Sequence, residues 1–485
     1  MKPQRALAGL VVTAGLAGLG FTARDAPVEL DATFATLGKP TMPFVPSGSF
    51  ISSSWFCPGV PSGEDGVGGS VEITNPLDTP IDGRITIYSS DIEADAVVQS
   101  LTIDARSNSS IDIAALQPTG TFASAVVEID GGGGFVEQVA RHPAGDAVAP
   151  CANAASSSWY FADGFTVDDS TEQLILSNPY PDAAVVNIGF VTSNGIRNPS
   201  VLRGYPVPGQ SVQVIELGSG ARDEPVLAAE VQATRGRVVA ARAQHFTGGG
   251  RLGYSLTLGA PSLSSQYYFA DGESAANVDE QYAIFNPSDQ EVTVYAIFLG
   301  LDPAAQQAAA ESGGFLNQEE VVVPAGRVVT LNTSDVEGLP AGRHGATFAT
   351  YAGDSIVVER ALTRPAGNSL ATTVVMGSPP GLASTRWSAA VGTDIALENV
   401  LVVLNVDSVD TTVTVSALGP GGLVPVPGLE ALPLPGAGLI TVPITDSSAL
   451  GTPLVIESEQ RIYVERLLAR DPELRGRSGS FALAG

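Results

Sequence analysis

The chain is expected to be all-β, a tandem array of about four immunoglobulin-like β-sandwich modules behind an N-terminal signal or anchor segment. Three observations predict it. Short Val/Ile/Thr-rich runs alternate with scattered turn residues throughout, with 54 Gly and 34 Pro among 485 residues, the distribution of a strand-and-turn chain. One aromatic motif recurs four times: Trp55-Phe56, Trp159-Tyr160-Phe161-Ala162-Asp163-Gly164, Tyr267-Tyr268-Phe269-Ala270-Asp271-Gly272 and Trp387. Each copy is followed by an apolar run ending at a fixed asparagine: Asn75, Asn178, Asn286 or Asn405.

Residues 1–24 come first. Lys2 and Arg5 precede an uncharged apolar run from Ala6 to Ala23, which lies between a secretory h-region and a short membrane span. Phe21 and Arg24 stand where a cleavage site needs small residues, so cleaved secretion and retention as a single N-terminal anchor both remain open. Residues 25–50 form an extended leader. The modules follow at 51–152, 153–262, 263–380 and 381–485, the last one degenerate.

Within each module the order of landmarks is the same. Asn-Pro, as in Asn75-Pro76, Asn178-Pro179 and Asn286-Pro287, removes a ladder donor and holds the preceding residue extended, so it ends one strand and is expected to start a hairpin. A Pro/Gly turn follows at Pro208-Gly209, Pro324-Ala325-Gly326 and Pro435-Gly436, read as a second hairpin. A closing strand ends the unit: Glu359-Arg360 and Glu465-Arg466 match one another, module two keeps only Arg242, and module one keeps only Glu137. Adjacent strand residues point to opposite faces, so each arginine is expected to find a cross-strand or intermodule partner rather than its neighbour. The runs add up to about seven strands per module, as in an immunoglobulin-like sandwich. A propeller would need half-modules that resemble one another, and here they do not.

These motifs together resemble a family of unknown function whose members are secreted or membrane-anchored proteins of actinobacteria built from Trp-Tyr-Phe-Ala-x-Gly and Asn-Pro sandwich repeats. The likeness extends to Cys57-Pro58-Gly59, where Cys57 is read as replacing the motif's alanine, and to Pro150-Cys151. The resemblance implies an envelope location and supplies no catalytic residue.

A formal charge of −27 argues against nucleic acid and against anionic membrane surfaces, both of which need clustered cations. Membrane contact is therefore expected only through the N-terminal segment. Cys57 and Cys151 bracket module one and fit a disulfide made in an oxidising compartment; two separate buried thiols are the alternative. No cofactor or metal is expected. The acids Asp163, Asp168, Asp169, Glu172, Asp271, Asp279 and Glu280 read as structural or solvated carboxylates, with calcium at a module boundary as the alternative. His142, His245 and His344 share no repeat position, and no hydrolase or phosphate-loop motif is present. The aromatic positions Trp55, Trp159, Tyr160, Tyr267, Tyr268 and Trp387 are candidates for core packing or for stacking on glycans. The expected role is non-enzymatic: an exported cell-envelope protein, structural or interaction-forming, whose partner (protein or glycan) the sequence does not name. A glycan-binding surface protein is the alternative, and a sandwich-type hydrolase stands third.

Overall fold

The computed structural model describes residues 40–301, 304, 318–351, 353–390, 396–470 and 477–485. The signal or anchor segment and most of the leader lie outside the described residues. Among the described residues the regular secondary structure is almost entirely antiparallel strand.

Modules one to three each contain two sheets. In module one, Ser53–Pro61, Phe122–Ile129, Ile81–Ser89 and Val97–Ile103 form one sheet in that order, and Ser107–Asp112, Gly68–Asn75, Phe135–Arg141 and Ala147–Pro150 form the other. Module three repeats this: Gln266–Ser274, Gly342–Thr350, Val292–Leu299 and Gln318–Val323, then Arg327–Asn332, Asp279–Asn286, Val357–Ala366 and Ser369–Met376. In the first sheet of module two, the short strands Gly195–Arg197 and Tyr205–Val207 both pair with Ala184–Thr192 in place of the single edge strand. In module four the 17-residue strand Leu454–Arg470 runs through both layers and joins them into one nine-stranded sheet. In modules one and three the first strand pairs with the sixth, a strand order different from that of immunoglobulin constant domains.

Modules one and three have eight strands rather than seven. The additional strand follows the closing strand: Ala147–Pro150, Gly253–Leu258, Ser369–Met376 and Arg477–Phe481 in the four modules. These strands close the array into a ring. Gly253–Leu258 packs against both Ala147–Pro150 and Ser369–Met376, and Arg477–Phe481 packs against Ser369–Met376 and back against Ala147–Pro150. Thr372 donates its main-chain N–H to Leu252 (2.8 Å), and Val148 donates to Ser478 Oγ (2.7 Å). Modules one and four are therefore neighbours, sealed by Val139, Val148 and Leu468.

The ring also explains why strand alternation breaks down. Ile81, Ile85 and Ile87 are buried on one face as alternation requires, but Thr86 and Tyr88 on the other face are buried too. Tyr88 reaches the main-chain oxygen of Pro179 in module two. A sheet covered by its own partner and by the next module has no wet face where the two overlap.

The Asn-Pro and Pro/Gly landmarks are not hairpins. Thr171–Asn178 and Ala184–Thr192 belong to different sheets, as do Gln318–Val323 and Arg327–Asn332. Both turns are arches that cross from one layer to the other, and turn residues alone do not distinguish an arch from a hairpin. The asparagine ties the two arches together. Asn286 Nδ2 donates to the carbonyls of Gln290 (2.7 Å) in its own turn and Val323 (3.0 Å) in the other, and its Oδ1 accepts from Ser288 N–H. Asn75, Asn178 and Asn405 make the same bonds to Thr79 and Ile103, Asp182 and Val207, and Val409 and Pro435. All four are fully buried, where an amide must find partners. Module four lacks the proline and keeps the tie, so the asparagine carries the architecture.

The described end of the leader crosses the junction of modules one and four. Val45 donates to Ala484 O (2.7 Å), Phe44 donates to Asn153 Oδ1 (2.8 Å), and Pro46 accepts from Gly133 N–H (2.8 Å). Met42 packs against the apolar cluster of Ala162, Ala260, Phe285 and Met376, as do Tyr160 and Leu263.

Candidate functional site

The side chains with the most chemistry to offer converge between modules. At the junction of modules two and three, the Glu359 carboxylate accepts from Arg242 Nη1 and Nη2 (3.0 and 2.9 Å) and from the main-chain N–H groups of Ala162 (2.6 Å) and Asp163 (2.7 Å). At the next junction Glu465 accepts from Arg360 (3.3 and 2.7 Å) and from Ala270 and Asp271 N–H (2.6 and 3.2 Å). Between modules four and one, Glu137 accepts from Arg466 (3.1 and 3.0 Å) and Ala390 N–H (2.6 Å), while Arg466 Nη1 donates to Ala390 O (2.9 Å). Each clamp thus joins the closing-strand arginine of one module to the closing-strand glutamate of the next, through the aromatic strand. All six side chains are buried. Burial raises the Glu359 and Glu465 carboxyls above their ordinary values, while Arg242 and Arg360 respectively pull them back. The arginines therefore do have intermodule partners, as strand geometry requires.

The junction of modules one and two has no such clamp. Gln138 occupies the arginine position and Ala241 the glutamate position. Pro58, which has no N–H, stands where Ala162, Ala270 and Ala390 donate. Gln138 Oε1 instead accepts from Gly59 N–H within its own module (3.3 Å).

The first aromatic of each motif is core. Trp55, Trp159, Tyr267 and Trp387 are at most 1% exposed, and the indole N–H groups of Trp159 and Trp387 donate to Val238 O and Ile462 O (2.8 Å each). Rings buried this far offer no face to a sugar. Tyr160 and Tyr268 are half-buried, their hydroxyls bonded by Gln232 and Gln266, and Tyr268 stacks on Tyr463 of module four at 4.7 Å.

A disulfide joins Cys57 to Cys151. Strand register aligns Cys57 with Phe161 and Phe269, not with the motif's alanine. Cys151 aligns with Gly259 and Gly377, one residue before the bridging positions Ala152, Ala260 and Ser378. A Cβ on Gly259 would lie 2.6 Å from the Phe161 ring, and one on Gly377 2.8 Å from the Phe269 ring. Two modules fill this place with a phenyl ring over a glycine, and the first fills it with a bridge.

The acids named from sequence do not gather into one site. Asp163 pairs with Arg251 (2.8 Å), and Asp271 pairs with Arg364 (2.7 Å) and Arg343 (2.5 Å). Burial would raise the Asp271 carboxyl, but Arg364, Arg360 and Arg343 together hold it well below the usual carboxylate range. Glu280 lies 3.0 Å from His344 Nε2 and accepts from the Tyr282 hydroxyl (2.7 Å). Its counterpart Glu172 has Leu227 and Leu174 in place of that histidine and tyrosine. Glu172 is fully buried with neither oxygen bonded, and burial pushes its carboxyl up to about 8. The motif's glycine makes room for this acid, since a Cβ on Gly164 would overlap its carboxylate. Asp168 caps Gly249 N–H (2.8 Å), while Asp169 and Asp279 are exposed. Among the described residues no group of three His, Cys, Asp or Glu side chains is placed to hold a metal ion. His142 and His245, unrelated in repeat position, meet across the first junction with ring centroids 4.7 Å apart.

No curated protein matches this chain. Among solved structures, the crystal structure of Thermotoga maritima 1070 matches with a TM-score of 0.19 and 16% identity, over 22% of this chain and 93% of that one. Residues 138–358, from the closing strand of module one to that of module three, match a family of unknown function (DUF5719).

Proposed function

We propose that the protein is exported and acts as a non-enzymatic, rigid interaction scaffold of the cell envelope. The observation that carries this reading is the use made of the repeated motif. Its aromatic rings fill the cores, its main-chain N–H groups bind the next module's glutamate, and its glycine clears space for a buried acid. The repeat therefore serves to hold a ring rigid, and recognition is left to the outer surface. The disulfide fits maturation in an oxidising compartment. The charge of −27 suits a protein that must stay soluble at a surface without binding anionic lipid or nucleic acid.

Retention of the purified full-length protein on isolated envelopes tests the reading. Saturable retention that survives glycosidase treatment and is lost after proteolysis of the envelopes supports a protein partner. Retention abolished by glycosidase would transfer the role to glycan binding, and the absence of any retention would sink the scaffold reading.

A further inference from the structure

The ring has three clamped junctions and one that lacks all three elements of the clamp. At that junction two imidazoles also meet, four residues along the closing strand from Gln138. His142, at the end of the module-one closing strand, stacks on Tyr254 of module two at 4.3 Å and meets the edge of His245 at 4.7 Å. The corresponding position is Phe246 in module two and Arg364 in module three. Phe246 lies in an apolar cluster with Ala361 and Val374, and Arg364 is bound to Asp271 and Glu273.

We propose that the junction of modules one and two is an acid-operated seam: protonation of the His142–His245 pair loosens it while the three clamped junctions stay shut.

The hydrogen bonding specifies the neutral state. Ala144 N–H donates to His142 Nδ1 (3.1 Å), so that nitrogen must present a lone pair, and a proton there destroys the bond. A second proton, on His245, places two imidazolium rings against each other. The carboxylate beside them is already engaged in the closed turn. Asp146 accepts from the main-chain N–H of His142 (3.3 Å), Arg141 is paired with Asp112, and Tyr254 is a buried neutral phenol. Thr171, opposite His245 on the neighbouring strand, is uncharged. Burial and the nearby His245 push the His142 imidazole down to about 4, and burial lowers His245 as well.

The sign follows from linkage. A base whose value is depressed in the closed state takes up its proton preferentially in the open one, so opening gains as pH falls from the ordinary histidine value toward about 4. Glu359 and Glu465, raised by burial, bind protons more tightly when closed and do not share that response.

Amide hydrogen exchange on the intact protein, corrected for intrinsic rates, tests the seam. Between about pH 7 and about pH 4.5, Ala147–Pro150 should lose roughly tenfold to a hundredfold more protection than Ser369–Met376. His142→Phe, which copies module two, and His142→Gln, which removes the titrating imidazole with less change of bulk, should each remove most of that excess. If the first does not fold, the second decides alone. Equal loss of protection at both strands, or an excess that persists in the variants that fold, would overturn the proposal.

Discussion

Glu172→Gln should stabilise the protein, and the gain should depend on pH in a calculable way. The Glu172 carboxyl sits at about 8 in the folded chain against an ordinary value of 4.5. A carboxyl raised by folding is bound more tightly to its proton in the native state. Its burial therefore costs little in linkage below the unfolded value and progressively more as pH rises toward the folded one, where the cost levels off. With those two values the penalty is under about 1 kcal/mol at pH 5 and roughly 3 kcal/mol at pH 7. Glutamine keeps the shape beside Gly164 and carries no proton to lose, so the variant should gain about that much at neutral pH and almost nothing at pH 5. Urea unfolding across this range, with matched m-values, measures it. Leu227→His provides a second arm, since it offers Glu172 the partner that Glu280 has in His344 and should flatten the same slope. A Glu172→Gln variant that retains the parental slope, or loses more than about 1 kcal/mol at pH 7, would refute the reasoning.

Other outcomes follow from the junctions and cores. Glu359→Ala leaves Arg242 buried and unpaired and should cost about 3–5 kcal/mol, whereas Arg242→Met with Glu359→Leu should recover much of it, short of the two orphaned N–H groups of Ala162 and Asp163; denaturant titration separates these cases. Replacing both cysteines by alanine should cost up to about 4–5 kcal/mol by the chain-entropy argument, and Cys57→Phe with Cys151→Gly, which copies the pairing of Phe161 with Gly259, should restore part of it in thermal unfolding. Trp159→Ala should destabilise module two by about 3–5 kcal/mol; a variant of parental stability that loses glycan retention would contradict the packing role.

The sandwich class, the repeat and the bridging cysteines were legible in the sequence because each is written in local pattern or spacing. The arches were not. Asn178-Pro179 dictates a turn, but whether the chain returns to the same sheet or crosses to the other depends on a bond from Asn178 to Val207, 29 residues away. The additional strands Ala147–Pro150 and Gly253–Leu258 were missed because they lie against neighbouring modules and show no single dry face. The clamps were half legible. The Glu-Arg pair marks module three and module four, and local pattern gives no reason why module two has Ala241 and module one Gln138 in its place. Only the closed ring shows that both losses fall at one junction, together with Pro58.

Ring closure has a consequence for synthesis. Glu137 finds its partner in Arg466, 329 residues later. A chain emerging from its N-terminus must hold module one folded, with an acid bound for burial still exposed to water, until the last module is made. Of the four modules, the first is the one whose opening strand is covalently fastened to its own exit by Cys57 and Cys151. The unit that waits longest for its neighbour is also the one equipped to stand without it.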